Sequence, residues 1–190
     1  LSNHIVELAR GLNYTKGLAQ GLRTLAFCHI RLSKYDEALP LLNEALALFE
    51  SLNDADGQGA IYEYLGIIRR NRGDLGGSLE LLLNALGISE EHKCRENEGT
   101  NHYQLGVTYR TLGDFEKALD HLYQSMVIWR EAGNDLYVAY SINVIGTIYF
   151  ETADYKRALD YFLQGLVARH AAGDKWGEAG SLDNIGFTYL

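Results

Sequence analysis

The chain has 190 residues, 47% hydrophobic and 22% charged, with a formal net charge of −8. An acidic balance with no lysine-arginine run excludes a nucleic-acid partner, because phosphate binding needs a dense basic stripe. No apolar stretch reaches the roughly 18 residues that would cross a bilayer, so no membrane partner is expected. Two cysteines, Cys28 and Cys94, stand at non-equivalent positions and fit a reducing, cytoplasmic setting.

In chain order, Leu1 to Leu12 aligns with the second helix of a two-helix unit, Ile5 and Leu8 falling where Ala45 and Leu48 fall. Leu22, Leu25 and His29, then Tyr35, Leu39, Leu42 and Leu46, mostly apolar, have the three-and-four spacing of two amphipathic helices within residues 15–54. That unit returns over 55–94, 95–134 and 135–174, and Trp176 to Leu190 matches a first helix without a partner. The half-units are 1–14 and 175–190, and the whole of 1–190 is expected to be one array. A period in the range of 20 to 50 residues means one supersecondary unit stacked on the next. The expected fold class is therefore all-α, a right-handed α-solenoid of stacked antiparallel helix pairs.

Two features of each unit carry physical content. Gly66, Gly106, Gly146 and Gly186 sit inside first helices, where glycine costs about 1 kcal/mol relative to alanine. Close approach of the paired helix, which carries Ala38, Ser78, Ala118 or Ala158 at its own matching position, is the expected offset. Asp74, Asp114 and Asp154 are expected N-caps of second helices, and Asp54, Asn134 and Asp174 of first helices. Gly73 and Gly113 suit a left-handed helix end; Ser33 and Ala153 replace that glycine elsewhere, and Cys94 replaces one acidic cap.

These residues resemble the tetratricopeptide repeat, in its longer forty-residue variety. The family pattern is matched by His102, Leu105, Gly106, Tyr109, Ala118, Leu122 and Ser125, and again by Ile142, Ile145, Gly146, Tyr149, Ala158, Phe162 and Gly165. Its proline after the second helix is replaced by Glu50, Glu90, Arg130 and His170, so the second helices are expected to run on. Similar long repeats occur in cell-polarity scaffolds, kinesin light chains, bacterial peptide-pheromone receptors and sensory portions of bacterial cyclases and kinases.

The resemblance implies a concave wall lined by first helices. Its rows are Arg23, Glu63, Tyr103, Asn143 and Asp183; Phe27, Ile67, Val107, Thr147 and Phe187; and Ile30, Arg70, Arg110 and Phe150, with Tyr140 and Asn184 also inward. As peptide-binding residues the candidates are Arg70, Arg110, Tyr103, Tyr140, Asn143 and Asn184. Guanidinium forks and amphipathic tyrosines suit an acidic protein or peptide segment. Arg70 and Arg110 as solvated charges at their own helix ends are the alternative. The lysine-asparagine clamp that some family members use for chaperone C-termini is absent, its positions reading Gln20, Thr24 and Phe27 and then Thr100, Gln104 and Val107.

Other constellations carry less. Asp54-Ala55-Asp56-Gly57 with Glu63 mimics a calcium loop, but its first ligand position is Leu52, so a capped turn is expected. No two histidines have metal-ligand spacing on one helix face, and no nucleophile-base arrangement is visible, so no metal, no cofactor and no catalysis are expected. Cys28, aligned with Ile68 and Ile148, is expected to be a small buried apolar residue. The function expected is a protein-protein interaction scaffold. The rival is a sensory or regulatory segment of a signalling enzyme, cyclase or kinase, that binds a ligand or dimerises. The apolar end at Phe187, Tyr189 and Leu190 lacks the polar cap that terminal units ordinarily carry, so homo-oligomerisation through uncapped ends is a third reading.

Overall fold

Short polar side chains stand where the forty-residue register turns, and each starts a helix. Oδ1 of Asp74 accepts from the Gly77 N–H at 2.9 Å, that of Asp154 from Arg157 at 3.0 Å, and that of Asp54 from Gly57 at 2.9 Å. Asp114, Asn134 and Asp174 do the same for Lys117, Tyr137 and Gly177. Each cap contributes about 1 kcal/mol. The hydrogen bond donated by the Gly77 N–H, and then that from the Arg69 side chain, hold the Asp74 carboxyl below its usual range. The same residues also close the preceding helix, since the N–H groups of Asp74, Asp114 and Asp154 reach back to the carbonyls of Arg69, Tyr109 and Tyr149 at 3.0, 3.0 and 2.8 Å. The residue before each cap is left-handed. Gly73 and Gly113 adopt φ of 85° and 86°, whereas Ser33 and Ala153 adopt 57° and 59° against the penalty a Cβ brings there.

A computed structural model describes residues 2–12 and 14–189, with side chains from Val6 onward. Within them lie α1 (Ser2–Gly11), α2 (Thr15–Arg31), α3 (Tyr35–Ser51), α4 (Ala55–Asn71), α5 (Leu75–Glu91), α6 (Arg95–Leu112), α7 (Phe115–Glu131), α8 (Asp135–Glu151), α9 (Tyr155–Ala172) and α10 (Lys175–Thr188), with no strand among the described residues. The Ile5 side chain and Leu190 fall outside the described residues. Glu50, Glu90, Arg130 and His170 all lie inside their helices, which stop one or two residues later.

The chain forms two compact units, Leu1–Asn97 and Glu98–Leu190. In the first, Leu22, Ala26 and Ile30 of α2 meet Ala38, Leu42, Ala45 and Phe49 of α3 and Ile61 and Ile68 of α4 in one core. Full burial of each larger side chain contributes roughly 1.5–3 kcal/mol. In the second, Ala118 and Leu122 of α7 pack with Val144, Ile145 and Ile148 of α8. Met126, Trp129, Val138 and Ile142 form a neighbouring cluster.

The interior glycines explain how closely the hairpins pack. A Cβ added at Gly106 would stand 2.6 Å from Leu122 Cγ and 3.1 Å from the Ala118 carbonyl oxygen. Gly66 faces Leu82 and the Ser78 carbonyl in the same way, and Gly146 faces Phe162. The small residue of the second helix therefore brings its backbone near, and the bulky residue one turn later fills the glycine's notch. Gly186 has nothing within 4 Å among the described residues.

Two expectations are corrected. Cys28 is exposed, unlike its aligned residues Ile68 and Ile148, which are buried. Ile68 belongs to the core that α2, α3 and α4 share. Ile30, expected on the wall, is buried in the core of its unit, because an aliphatic side chain at that position folds inward among α3 and α4 residues.

Gly106→Ala is expected to destabilise the second unit by about 1–3 kcal/mol through overpacking. Gly87→Ala, in an exposed part of α5 with nothing within 4 Å, is expected to stabilise by up to about 1 kcal/mol. Urea unfolding midpoints of the two variants should move in opposite directions. By the same measurement Ala153→Gly should gain about 1 kcal/mol, since it removes a side chain from a left-handed residue.

Candidate peptide-binding site

In the second unit the first helices α6, α8 and α10 bring four of the six candidate residues together in two contacts. The Tyr103 and Tyr140 rings lie tilted with centroids 6.3 Å apart. Asn184 Nδ2 donates to Asn143 Oδ1 at 3.0 Å, tying α10 to α8. All four side chains are half-buried, so they combine a fixed position with an accessible face. Tyr140 is also held edge-on to Tyr137, which stacks on Trp129 with centroids 4.3 Å apart. Rigid aromatic groups of this kind lose little entropy on binding.

The arginines behave differently. Arg110 is engaged by Glu151 of α8 through a forked contact, Nη2 to Oε1 at 2.6 Å and Nε to Oε2 at 3.0 Å. Both side chains are about one-third exposed, so solvent weakens the pair and it contributes little to stability. Arg70 is half-buried near the end of α4 in the first unit. The remaining wall positions are mixed. Phe27 stacks on Tyr64, Arg23 lies over the Phe49 ring at 5.9 Å, and Phe187 is exposed.

A cleft of about 670 Å³ opens in the first unit between α2 and the turns that start α4 and α6. Lys16, Gln20, Arg23, Phe49, Asp56 and Cys94 are among its lining residues, and the Cys94 thiol donates to Asp56. By the forty-residue register, Gln20, Arg23 and Phe49 correspond to Tyr140, Asn143 and Arg169 in the second unit. The corresponding surfaces thus carry the candidate residues of α8.

Sequence reasoning missed three groups. His102 of α6 and His121 of α7 bring their Nδ1 atoms to 2.9 Å, with Tyr109 stacked flat on His121 and Lys117 Nζ 5.3 Å from the Tyr109 ring centre. The two histidines lie on different helices, so same-face spacing could not reveal them. No cluster of three metal-ligating side chains occurs among the described residues. Tyr123 places its hydroxyl 2.8 Å from that of Tyr161 and 3.4 Å from that of Tyr149. Burial first, then those two neighbours, push its ionisation up. The third missed group is Arg169, a charged residue in a column otherwise holding Ala9, Phe49, Ser89 and Trp129; that contrast was visible in the register.

The tetratricopeptide repeat model matches residues 17–91 and 97–169, well over half of the chain. The chain belongs to the tetratricopeptide repeat family, and its fold is the α-solenoid class of stacked antiparallel helix pairs. BtubC (BKLC) from P. vanneervenii is similar in structure, with a TM-score of 0.83 and 23% identity over 99% of this chain and 80% of BtubC. RapI in its apo form gives a TM-score of 0.80 at 18% identity, covering 90% of this chain and 63% of RapI. The STAND signal-transduction ATPase PH0952 from Pyrococcus horikoshii, which has a tetratricopeptide repeat sensor, gives 0.74 at 16% identity over 90% of this chain and 27% of that protein. This chain therefore spans less than two thirds of RapI and about a quarter of PH0952. No curated protein matches in sequence. Proteins of this family are generally interaction scaffolds. Among the described residues no helix is long and apolar enough to cross a membrane.

Burial pulls the His121 imidazole below its usual range, with Asp120 acting the other way. The unfolded chain then binds the proton more readily, so stability is full above about pH 6.5 and falls as pH drops through that value. Chemical unfolding of the protein at pH 7 and pH 5 should show the loss. His121→Tyr, which installs the residue found at the aligned position 161, should flatten it.

Proposed function

We propose that this chain is a binding scaffold whose first-helix wall holds an acidic peptide segment of a partner protein. The observation that carries this reading is the half-buried patch of Tyr103, Tyr140, Asn143 and Asn184 in the second unit. It offers aromatic faces and amide groups already fixed by their own contacts. An extended peptide presents backbone carbonyls and N–H groups to such amides and side-chain carbon to such rings. Arg110 supports the acidic preference, because it already accommodates a carboxylate, that of Glu151, in a forked geometry. A ligand carboxylate would exchange with Glu151 and inherit the same donors. The preformed wall keeps the entropy cost on the side of the peptide. The scaffold is proposed to work in the cytoplasm.

A second reading is favoured by the likeness to PH0952, whose repeat region is a sensor: the array would bind a ligand, or pair with a second copy, and pass the change to a signalling enzyme. The exposed Phe187 and Tyr189 at the end of α10 are the surface that self-association would use.

Arg70→Ala with Arg110→Ala is expected to weaken binding of an acidic partner peptide by more than tenfold while helicity and melting stay nearly unchanged. Glu151→Gln should tighten the same complex severalfold, because it releases Arg110 from its internal acceptor. Calorimetric titration checks both. Unchanged affinity in both variants would dismiss the arginines as anchors, and mass measured against concentration tests the pairing of copies.

A further inference from the structure

The outer sides of α7 and α9 present exposed side chains in one order from helix start to helix end: an acid, an apolar stretch, a base. Asp120 and Asp160 stand near the starts, Val127, Leu163 and Val167 follow, and Arg130 and His170 stand near the ends, all of them exposed. The three apolar residues are 47%, 45% and 70% exposed. Both helices belong to the second unit, and the 2.8 Å contact between the Tyr123 and Tyr161 hydroxyls holds them side by side. Acid and base are ten residues apart in each helix, about 15 Å at the rise of an α-helix, so the two rows run parallel across the face.

Such a face is its own complement. A second copy turned about a two-fold axis that passes between α7 and α9 lays its α9 antiparallel on α7. Asp120 then meets His170 of the second copy, Tyr123 meets Val167, Val127 meets Leu163 and Arg130 meets Asp160, while Glu131 comes within a turn of Lys156. The axis makes each of these contacts twice. His170 engages Glu178 through Nδ1 at 3.2 Å, so its Nε2 is the atom that meets the Asp120 carboxylate, of which Gln124 engages Oδ2 at 3.3 Å. In the first unit α5 also exposes an apolar residue, Leu83, but the same register between α3 and α5 sets Glu50 against Glu80. Like charges placed opposite one another select against pairing there and leave the face of α7 and α9 as the self-complementary one.

We infer that the outer face of α7 and α9 pairs with a second copy of this chain, as a two-fold dimer with an apolar centre and charged flanks. Three apolar side chains per copy make a patch at the low end of specific interfaces, so the pairing is weak and reversible. It uses second helices alone and leaves the wall of Tyr103, Tyr140, Asn143 and Asn184 on the first helices uncovered, so it does not depend on what that wall binds. It also uses a different surface from Phe187 and Tyr189 at the end of α10.

Sedimentation equilibrium of the full chain, from micromolar to millimolar concentration, tests this. A monomer-dimer equilibrium rising towards twice the 21.3 kDa chain mass is expected. Val167→Asp should weaken it by about tenfold or more, with melting of the dilute protein unchanged because the side chain is exposed in the monomer. Arg130→Glu and Asp160→Arg should each weaken it, and the two together in one chain should restore it, since the exchanged charges again face each other across the axis. Phe187→Asp should leave it unchanged. The inference is overturned if the chain stays monomeric at millimolar concentration, if its mass grows past the dimer, if association survives Val167→Asp but is lost with Phe187→Asp, or if the double charge exchange fails to restore what the single ones remove.

Discussion

The contact on which three of the four hairpins depend is the notch at the interior glycine of a first helix, Gly66, Gly106 or Gly146, filled by a bulky residue of the second. At Gly106 the neighbouring helix comes so near that its backbone carbonyl, as well as the Leu122 side chain, occupies the space a methyl group would need. Glycine weakens the helix that contains it, so the packing gained at the notch must exceed that loss. Because the notch fixes how deeply the two helices of a pair interlock, it also fixes which faces of the first helix remain outside. The wall of Tyr103, Tyr140, Asn143 and Asn184 is one such outside face in the second unit.

Much of this was legible in the residues. The caps at Asp54, Asp74, Asp114, Asn134, Asp154 and Asp174 all form as spacing and chemistry require, because cap formation is local and needs only the next turn of helix. Burial at repeated positions was less legible, for it depends on which neighbour is present. Cys28 has the register of Ile68 and Ile148 but not their surroundings, and Ile30 shares a register with Arg70, Arg110 and Phe150 yet turns into the core. The His102–His121 contact joins two helices across a turn, so no single-helix pattern announces it. Arg169 was available as an exception within its column, and only the packing shows how deeply that exception is buried.

Ion pairs within the units are of two kinds, those formed close to a helix start and those that join two helices, as Arg72 with Asp36 does in the first unit. Asp114 with Lys117 and Asp154 with Arg157 sit within one turn, and Arg110 with Glu151 joins successive first helices. Such pairs are exposed enough that solvent competes with them, which makes them modest contributors to stability and easily exchanged for a ligand's charges. Arg157 over Tyr149 and Lys117 over Tyr109 repeat one cation-on-ring arrangement at aligned positions. The tyrosine hydroxyls around Tyr123 add a polar seam within the second unit.

At the joints between helices a single residue finishes one helix with its backbone and begins the next with its side chain. Asp74 is such a hinge pin: its N–H meets Arg69 while its carboxylate meets Gly77. With no spare link in the connector, adding or deleting one amino acid at a joint would unseat both functions at once and rotate every following side chain off its face. Growth or shrinkage of such a protein is thereby channelled into whole modules, and ligand specificity is left to change by substitution on surfaces whose spacing stays the same.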